Sequence, residues 1–347
     1  MNSNSESSSS EEIVLSILMP IYNGEDVMSE TIHCLIAQNL NCNWELIISD
    51  NCSTDGTVDI ARGFHHPNLK VFEHEQNIGY PANLKRSLGY AKGKYVFLCG
   101  HDDLISAGTL QTVVDLFDSR PTLGAITRPY FAYDDDINRP TRYKKRITGQ
   151  GNETLFITST SNPLAILKVF RTLDQLTGLA FRQTMMRIPF HSDVFTSHVY
   201  PFADILKKNE VAMLPTYTVA VRTWTSQSRK ESWIYDLSPV ESWAQLVRST
   251  FSEPAFETLR DYLFCNFCGH NSVGLIQIRN FASKPIIYFL REIRVLLRYR
   301  LKNLRDPIFW GVILFCIITP PRLSIYLVDR FKRKISSRTV PPLHFSL

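Results

Sequence analysis

Neither G-x-G-x-x-G nor G-x-x-x-x-G-K-[ST] occurs in the 347 residues, and glycine itself is sparse at 15. That removes the main sequence support for a phosphate cradled on a helix N-terminus behind a glycine-rich turn. A disulfide framework is missing too. The seven cysteines are odd in number and irregularly spaced, which fits free thiols in a reducing compartment. Cys265 and Cys268 form a lone C-x-x-C with His270 two residues on. With no second pair nearby, buried thiols on a helix read better than a zinc site. Residues 1–12, MNSNSESSSSEE, lack an apolar core and read as a disordered tail rather than a signal peptide. The apolar stretch 307–321 holds fifteen uncharged residues between prolines, short for a membrane-spanning helix. No internal repeat is found.

What is present is unevenly charged. Thirteen Lys/Arg and three acids lie between Lys284 and Arg338, a net of +10, while the rest of the chain carries a net of −5. A basic annex on a mildly acidic body suits an anionic-membrane or nucleic-acid partner. Its cations are interleaved with long aliphatic stretches (IIYFLREIRVLLRYRLKNLRDP, then PIFWGVILFCIITPP). This favours the headgroup region of an anionic leaflet over nucleic acid. The competing reading is a core helix beside a solvated basic neighbour.

Apolar runs at 14–19, 44–49, 69–73, 95–99 and 123–131 alternate with stretches of helical spacing. Met28, Ile32, Leu35 and Ile36 share one helix face, Pro81 opens a second helix, and Leu110, Val113, Val114 and Phe117 mark a third. Strand–helix alternation predicts an α/β fold with a mostly parallel sheet flanked by helices. Residues 134–151 read as a long exposed loop, VAMLP and TYTVAV as short apolar runs, and 239–279 as helical. In a parallel sheet ligands bind beyond the carboxyl ends of the strands. Pro20-Ile21-Tyr22-Asn23, Asp50-Asn51-Cys52-Ser53 and His101-Asp102-Asp103 therefore converge on one rim.

The stretch YVFLCGHDDLI at 95–105 closes an apolar run on two adjacent carboxylates, which repel each other unless they face water or hold a cation. Mg²⁺ or Mn²⁺ takes one or two carboxylates plus substrate phosphates, so such a rim suits a nucleotide diphosphate bound through a metal.

Several ordered motifs over residues 13–225 carry a resemblance: LSILMPIYNGED, WELIISDNCSTDGT and NIGYPANLKRSLGYAKGKYVFLCGHDDLI. Together they resemble the family 2 glycosyltransferases and their GT-A nucleotide-sugar-binding fold. The resemblance implies a GT-A domain at 13–235, and the basic and apolar stretches behind it imply a helical, membrane-associated region at 236–347. It implies an inverting sugar transfer from a nucleotide-diphosphate sugar, UDP- or dTDP-linked, to a saccharide or lipid-linked saccharide acceptor. The setting would be surface-polysaccharide assembly on the cytoplasmic face of a membrane, with no nucleic-acid partner. Pro20, Tyr22 and Asn23 would shape the nucleoside pocket, with Asn77 of the N-x-G segment beside it. Asp50 and Asn51 would meet the base. Asp102 would lie near ribose or metal, and Asp103 would ligate Mn²⁺ or Mg²⁺. Asp204 would be the general base, with Asp193 in reserve, and Arg222 would neutralise diphosphate. Phe181 and Arg182 would lie in the acceptor loop.

Three positions depart from the family pattern: Asn51 for a second Asp, Gly100 for the first acid of the metal motif, and Trp224 for a histidine. They leave room for a non-catalytic scaffold of the same fold. The shared metal–diphosphate logic also admits a nucleotidyltransferase. His101 reads as a spectator at an exposed turn.

Overall fold

The computed structural model describes residues 12–134, 136–143, 153–223 and 232–336. The acidic N-terminal stretch up to residue 11, residues 144–152 and Trp224 lie outside the described residues. Among the described residues twelve strands form: β1 Leu15–Ile21, β2 Trp44–Asp50, β3 Leu69–Glu73, β4 Tyr95–Leu98, β5 Leu104–Ile105, β6 Leu123–Thr127, β7 Tyr130–Tyr133, β8 Pro140–Tyr143, β9 Leu155–Ile157, β10 Ala180–Arg182, β11 Glu210–Met213 and β12 Val219–Arg222.

Eight of them make one sheet in the order β3-β2-β1-β4-β10-β6-β11-β9. The β3-β2-β1-β4 half is parallel, as the strand–helix alternation predicts. β10 then enters antiparallel between β4 and β6, and β9 closes the far edge antiparallel to β11. All seven residues of β1 are buried, because helices cover both faces. Each fully buried Leu or Ile there contributes roughly 1.5–3 kcal/mol.

Pro20 sits in this central strand without costing a ladder bond. Ile21 O bonds towards β2 and Leu18 O towards β4, so the proline nitrogen faces the β4 side two residues beyond the last β1–β4 pair, Leu18 with Leu98.

A second sheet, β5-β12-β7-β8, stands beside the acid pair, since β5 begins at the residue after Asp103. Residues 140–143 of the expected long loop are therefore a strand, β8, paired antiparallel with β7. The single helix expected at 239–279 is broken into Pro239–Thr250, Glu257–Asn266 and Gly274–Phe281. These helices share the core of the sheet domain: the Phe170 ring meets Trp243 at 6.4 Å, Phe251 at 6.4 Å and Phe267 at 5.7 Å.

Candidate active site

The register places Ile21 beside Asp50 and Leu18 beside Leu98, so the turns after β1, β2 and β4 share one rim. Side chains knit them together. Asn23 adopts φ 48°, a left-handed conformation that Asn tolerates. Its Oδ1 accepts from Thr54 N at 2.8 Å, and its own N–H donates to Ser53 Oγ at 2.9 Å. Asp50 is buried and anchors the same turn, accepting from Ser53 N at 3.0 Å and Ser53 Oγ at 2.5 Å. Asn51, also buried, donates to Asn77 Oδ1 at 2.8 Å and accepts from Ile78 N at 2.9 Å. Asn23, Asp50, Asn51 and Asn77 are thus brought together. The partners seen for the last three are neighbouring turns of this chain. Tyr22 and Asn23 are half-exposed beside them.

The acid pair divides in two. Asp102 is half-exposed at the rim. Asp103 is 1% exposed, and three donors converge on its carboxylate: Gln175 Nε2 at 2.8 Å, the Thr177 hydroxyl, and Arg222 N at 3.2 Å. Burial, and then the Asp102 charge, push the Asp103 carboxyl up to about 8. The Asp103 carboxylate, expected to meet the cation, is engaged by these internal donors, and Asp102 is the member of the pair that reaches solvent.

Gly100 is tight. A Cβ there would lie 3.0 Å from Asp102 Oδ1, 3.1 Å from Asp103 Oδ2 and 3.2 Å from Thr177 Oγ1. Among the described residues no group of three His, Cys, Asp or Glu could hold a metal by itself. One exposed carboxylate completed by substrate phosphates and water is still an ordinary Mg²⁺ or Mn²⁺ arrangement, so the donor set fits a cation shared with the donor. His101 packs over the β1 turn, close enough that a Cβ on Gly24 would fall 2.5 Å from its ring.

Arg222, expected to neutralise diphosphate, lies beside the acid pair. Its guanidinium pairs with Glu30, reaches Asp102 O at 3.4 Å and lies over the Tyr133 ring at 4.9 Å. Asp204 is displaced further. It sits inside the helix Val199–Lys208, with Arg187 Nε 3.2 Å from Oδ2 and Lys208 Nζ 3.3 Å from Oδ1. The next residue, Ile205, faces Gly124 near the start of β6, and Asn209 leads directly into the start of β11. β6 and β11 run parallel to β4, so Asp204 lies at the opposite end of the sheet from the acid pair. The general-base expectation for Asp204 is therefore corrected. Asp193 serves a turn, accepting from Phe195 N, Thr196 N and Thr196 Oγ1 at 2.8–2.9 Å. Phe181 is fully buried in β10. Arg182 donates to the carbonyls of Leu123, Phe117 and Arg120, a structural brace rather than an acceptor contact.

Sequence reasoning missed residues 172–176, ahead of the expected acceptor loop at 177–186. The segment 172–179 delivers Gln175 and Thr177 to Asp103, and Gly178, at φ +86°, presses against Arg128. Arg128 is fully buried and donates to Thr172 O at 3.1 Å and Gln175 O at 3.0 Å; burial lowers its guanidinium to about 10. Leu173 O accepts from His198 Nε2 at 2.9 Å, leaving Nδ1 to face the Tyr80 hydroxyl at 3.2 Å. Burial lowers His198 to about 4, so the ring is neutral. Asp174, between these anchors, is exposed and accepts from Tyr130 OH at 2.9 Å. One signal was readable: Arg128 interrupts an otherwise apolar run, and a buried cation must be answered by acceptors.

Comparison with known proteins agrees with this architecture. Residues 16–186 match the model of glycosyl transferase family 2. The minor teichoic acid biosynthesis protein GgaB of Bacillus subtilis is 35% identical over 106 residues, 30% of this chain and 12% of that protein. The Escherichia coli protein WfgD, a UDP-Glc:alpha-D-GlcNAc-diphosphoundecaprenol beta-1,3-glucosyltransferase, is 28% identical over 106 residues, 30% of this chain and 42% of that protein. The chain thus spans less than half the length of these relatives. Residues 1–349 of Staphylococcus aureus TarS superpose with TM-score 0.61 at 16% identity, covering 93% of this chain and 92% of that one. A Pyrobaculum calidifontis mannosyltransferase, solved with GDP-Man and Mn²⁺, superposes with TM-score 0.53 at 14% identity, covering 95% and 89%. At these identities the structures establish the fold, which is GT-A.

Proposed function

Since residues 16–186 place the chain in glycosyl transferase family 2, we propose that it transfers a sugar with inversion from a UDP- or dTDP-sugar to an acceptor hydroxyl. The observation that carries this reading is the convergence of the Asn23, Asp50–Asn51, Asn77 and Asp102–Asp103 turns on one rim at the carboxyl ends of β1, β2 and β4. Tyr22 and Asn23 flank the nucleoside, and Asp102 lies where the diphosphate would arrive. A divalent cation, Mn²⁺ or Mg²⁺, would be held there by Asp102 and the donor phosphates, and it would offset charge on the departing diphosphate.

This chain's own residues orient the acceptor and take its proton. The segment 172–179, fixed by Asp103, Arg128 and His198, forms the acceptor side. Its exposed carboxylate, Asp174, takes the proton of the attacking hydroxyl. The acceptor is a lipid-linked saccharide, the class named for WfgD. The chain meets it at the cytoplasmic face of a membrane, held there by the C-terminal helices.

A panel of nucleotide sugars assayed with Mn²⁺ or Mg²⁺ for nucleoside diphosphate release tests the reading. Turnover of one donor with inversion at the anomeric carbon is expected. Nucleotide-sugar binding without turnover on any acceptor would leave the non-catalytic scaffold, which Gly100 favours. Pyrophosphate release from a nucleoside triphosphate would leave the nucleotidyltransferase.

A further inference from the structure

The helix Pro307–Ile318, PIFWGVILFCII, carries no charge on any face, yet the domain covers only one side of it. Phe309, Ile313 and Cys316 are buried against the body, whereas Ile308, Leu314, Ile317 and Ile318 are 58–70% exposed. A helix apolar all round is stable only when its whole circumference is covered. The bare side is not isolated. Trp310 Nε1 donates to Leu304 O at 3.0 Å, which puts two further exposed apolar residues beside it. Contiguous exposed apolar surface of this kind marks an interaction site.

Length and charge decide the occupant. At 1.5 Å per residue the twelve-residue helix covers about 18 Å, against the roughly 30 Å of a bilayer core. No described helix is long and apolar enough to cross a membrane. The flanks are basic, and two of the three acids in the region are already engaged: Glu292 is 1% exposed, and Asp306 caps Ile308 N and pairs with Arg300. A second copy of the chain on this face would bring two such basic rims together.

We infer that the outer side of Pro307–Ile318 lies in the plane of an anionic bilayer, its isoleucines and leucine among the acyl chains and its cationic neighbours at the headgroups. The seat also reaches the reaction. The helix Pro321–Ser336 packs against β8, and the order β5-β12-β7-β8 leads back to the acid pair. Three strand spacings of about 4.8 Å put β5 about 14 Å from β8. The inference rests on the transferase reading for its purpose: it delivers the glycan end of a lipid-linked acceptor to the rim.

Vesicle flotation of the full chain tests it. Binding is expected to phosphatidylcholine vesicles containing a third phosphatidylglycerol, with weaker binding to phosphatidylcholine alone. Ile308→Glu/Leu314→Glu/Ile317→Glu should reduce flotation at least tenfold, and Lys302→Glu/Arg305→Glu should reduce it several-fold in a salt-dependent way. Folding of each variant is checked by its thermal transition. Turnover with a water-soluble acceptor should be unchanged, and turnover with an undecaprenyl-linked acceptor should fall. Undiminished flotation of both variants would overturn the proposal, as would a wild-type dimer that the triple variant converts to monomer. Because donor turnover is read separately, failure of the membrane seat would not be mistaken for failure of the transferase reading.

Discussion

Gln175 Nε2 donates to Asp103 Oδ2 over 2.8 Å, joining residues 72 positions apart. Thr177 completes the link, accepting from Gly100 N at 2.7 Å and donating to the same carboxylate. The second acid of the pair therefore ties the segment 172–179 to the rim, and under the proposed function it is a positioning residue. Thr177→Val keeps the volume but leaves Asp103 short of a donor, at a cost of about 1–3 kcal/mol. The expected kinetic signature is a raised acceptor KM with donor affinity nearly unchanged. A raised donor KM alone would contradict the positioning role.

Asp103 also sets a pH dependence. Its folded pKa of about 8 lies above the ordinary value of 3.8, so the folded protein holds a proton that the unfolded chain releases. The stability this group contributes is fully present below pH 4 and is lost as the pH rises through about 8. Denaturant midpoints measured from pH 5 to 9 should fall through this window in the wild type. The fall should be shallower in Asp103→Asn, whose amide cannot titrate.

The two candidate bases separate cleanly. Asp204 is held by Arg187 and Lys208 at the far end of the sheet, whereas Asp174 stands exposed beside the anchors of Asp103. Asp204→Asn should cost about 1 kcal/mol of stability through weakened, partly exposed ion pairs and leave turnover within twofold. Asp174→Asn should keep donor affinity and lower kcat by about 10²–10⁴-fold, the range of a lost general base. A reversal of these two outcomes would return the role to Asp204.

The contrast between these residues shows what the sequence could tell. The parallel half of the sheet was legible because each strand is a continuous apolar run and each helix keeps one apolar face, as Met28, Ile32 and Leu35 do. Turns following such strands had to meet on one rim, so Asn23, Asp50, Asn51 and the acid pair were found together. The stretch 172–176 was not legible. β10 is three residues long, Ala180–Arg182, and its antiparallel insertion has no periodic signal. Asp204 matched a motif by residue type, but position along a helix decides which end of a sheet a carboxylate occupies. Adjacency in sequence says nothing of which carboxylate of the pair faces inward, and Asp103 is the one that does. The bonds from Gln175 and Thr177 that turn it inward are long-range.

Gly100 offers the sharpest test of how the rim uses a cation. A methyl at this position meets the carboxylate oxygens of Asp102 and Asp103 and the Thr177 hydroxyl at 3.0–3.2 Å, and the last two are already bonded to each other. Gly100→Ala should therefore cost about 1–3 kcal/mol, the range for overpacking a tight site. Gly100→Asp adds a third carboxylate beside two others, and mutual repulsion should lower its thermal midpoint further in the presence of a chelator. A cation that sits at Asp102 would relieve that repulsion. Millimolar Mn²⁺ should then raise the midpoint of Gly100→Asp by several degrees more than that of the wild type. Equal rises in the two proteins would place the cation away from Asp102 and remove the electrostatic reason for an acid pair at the end of β4.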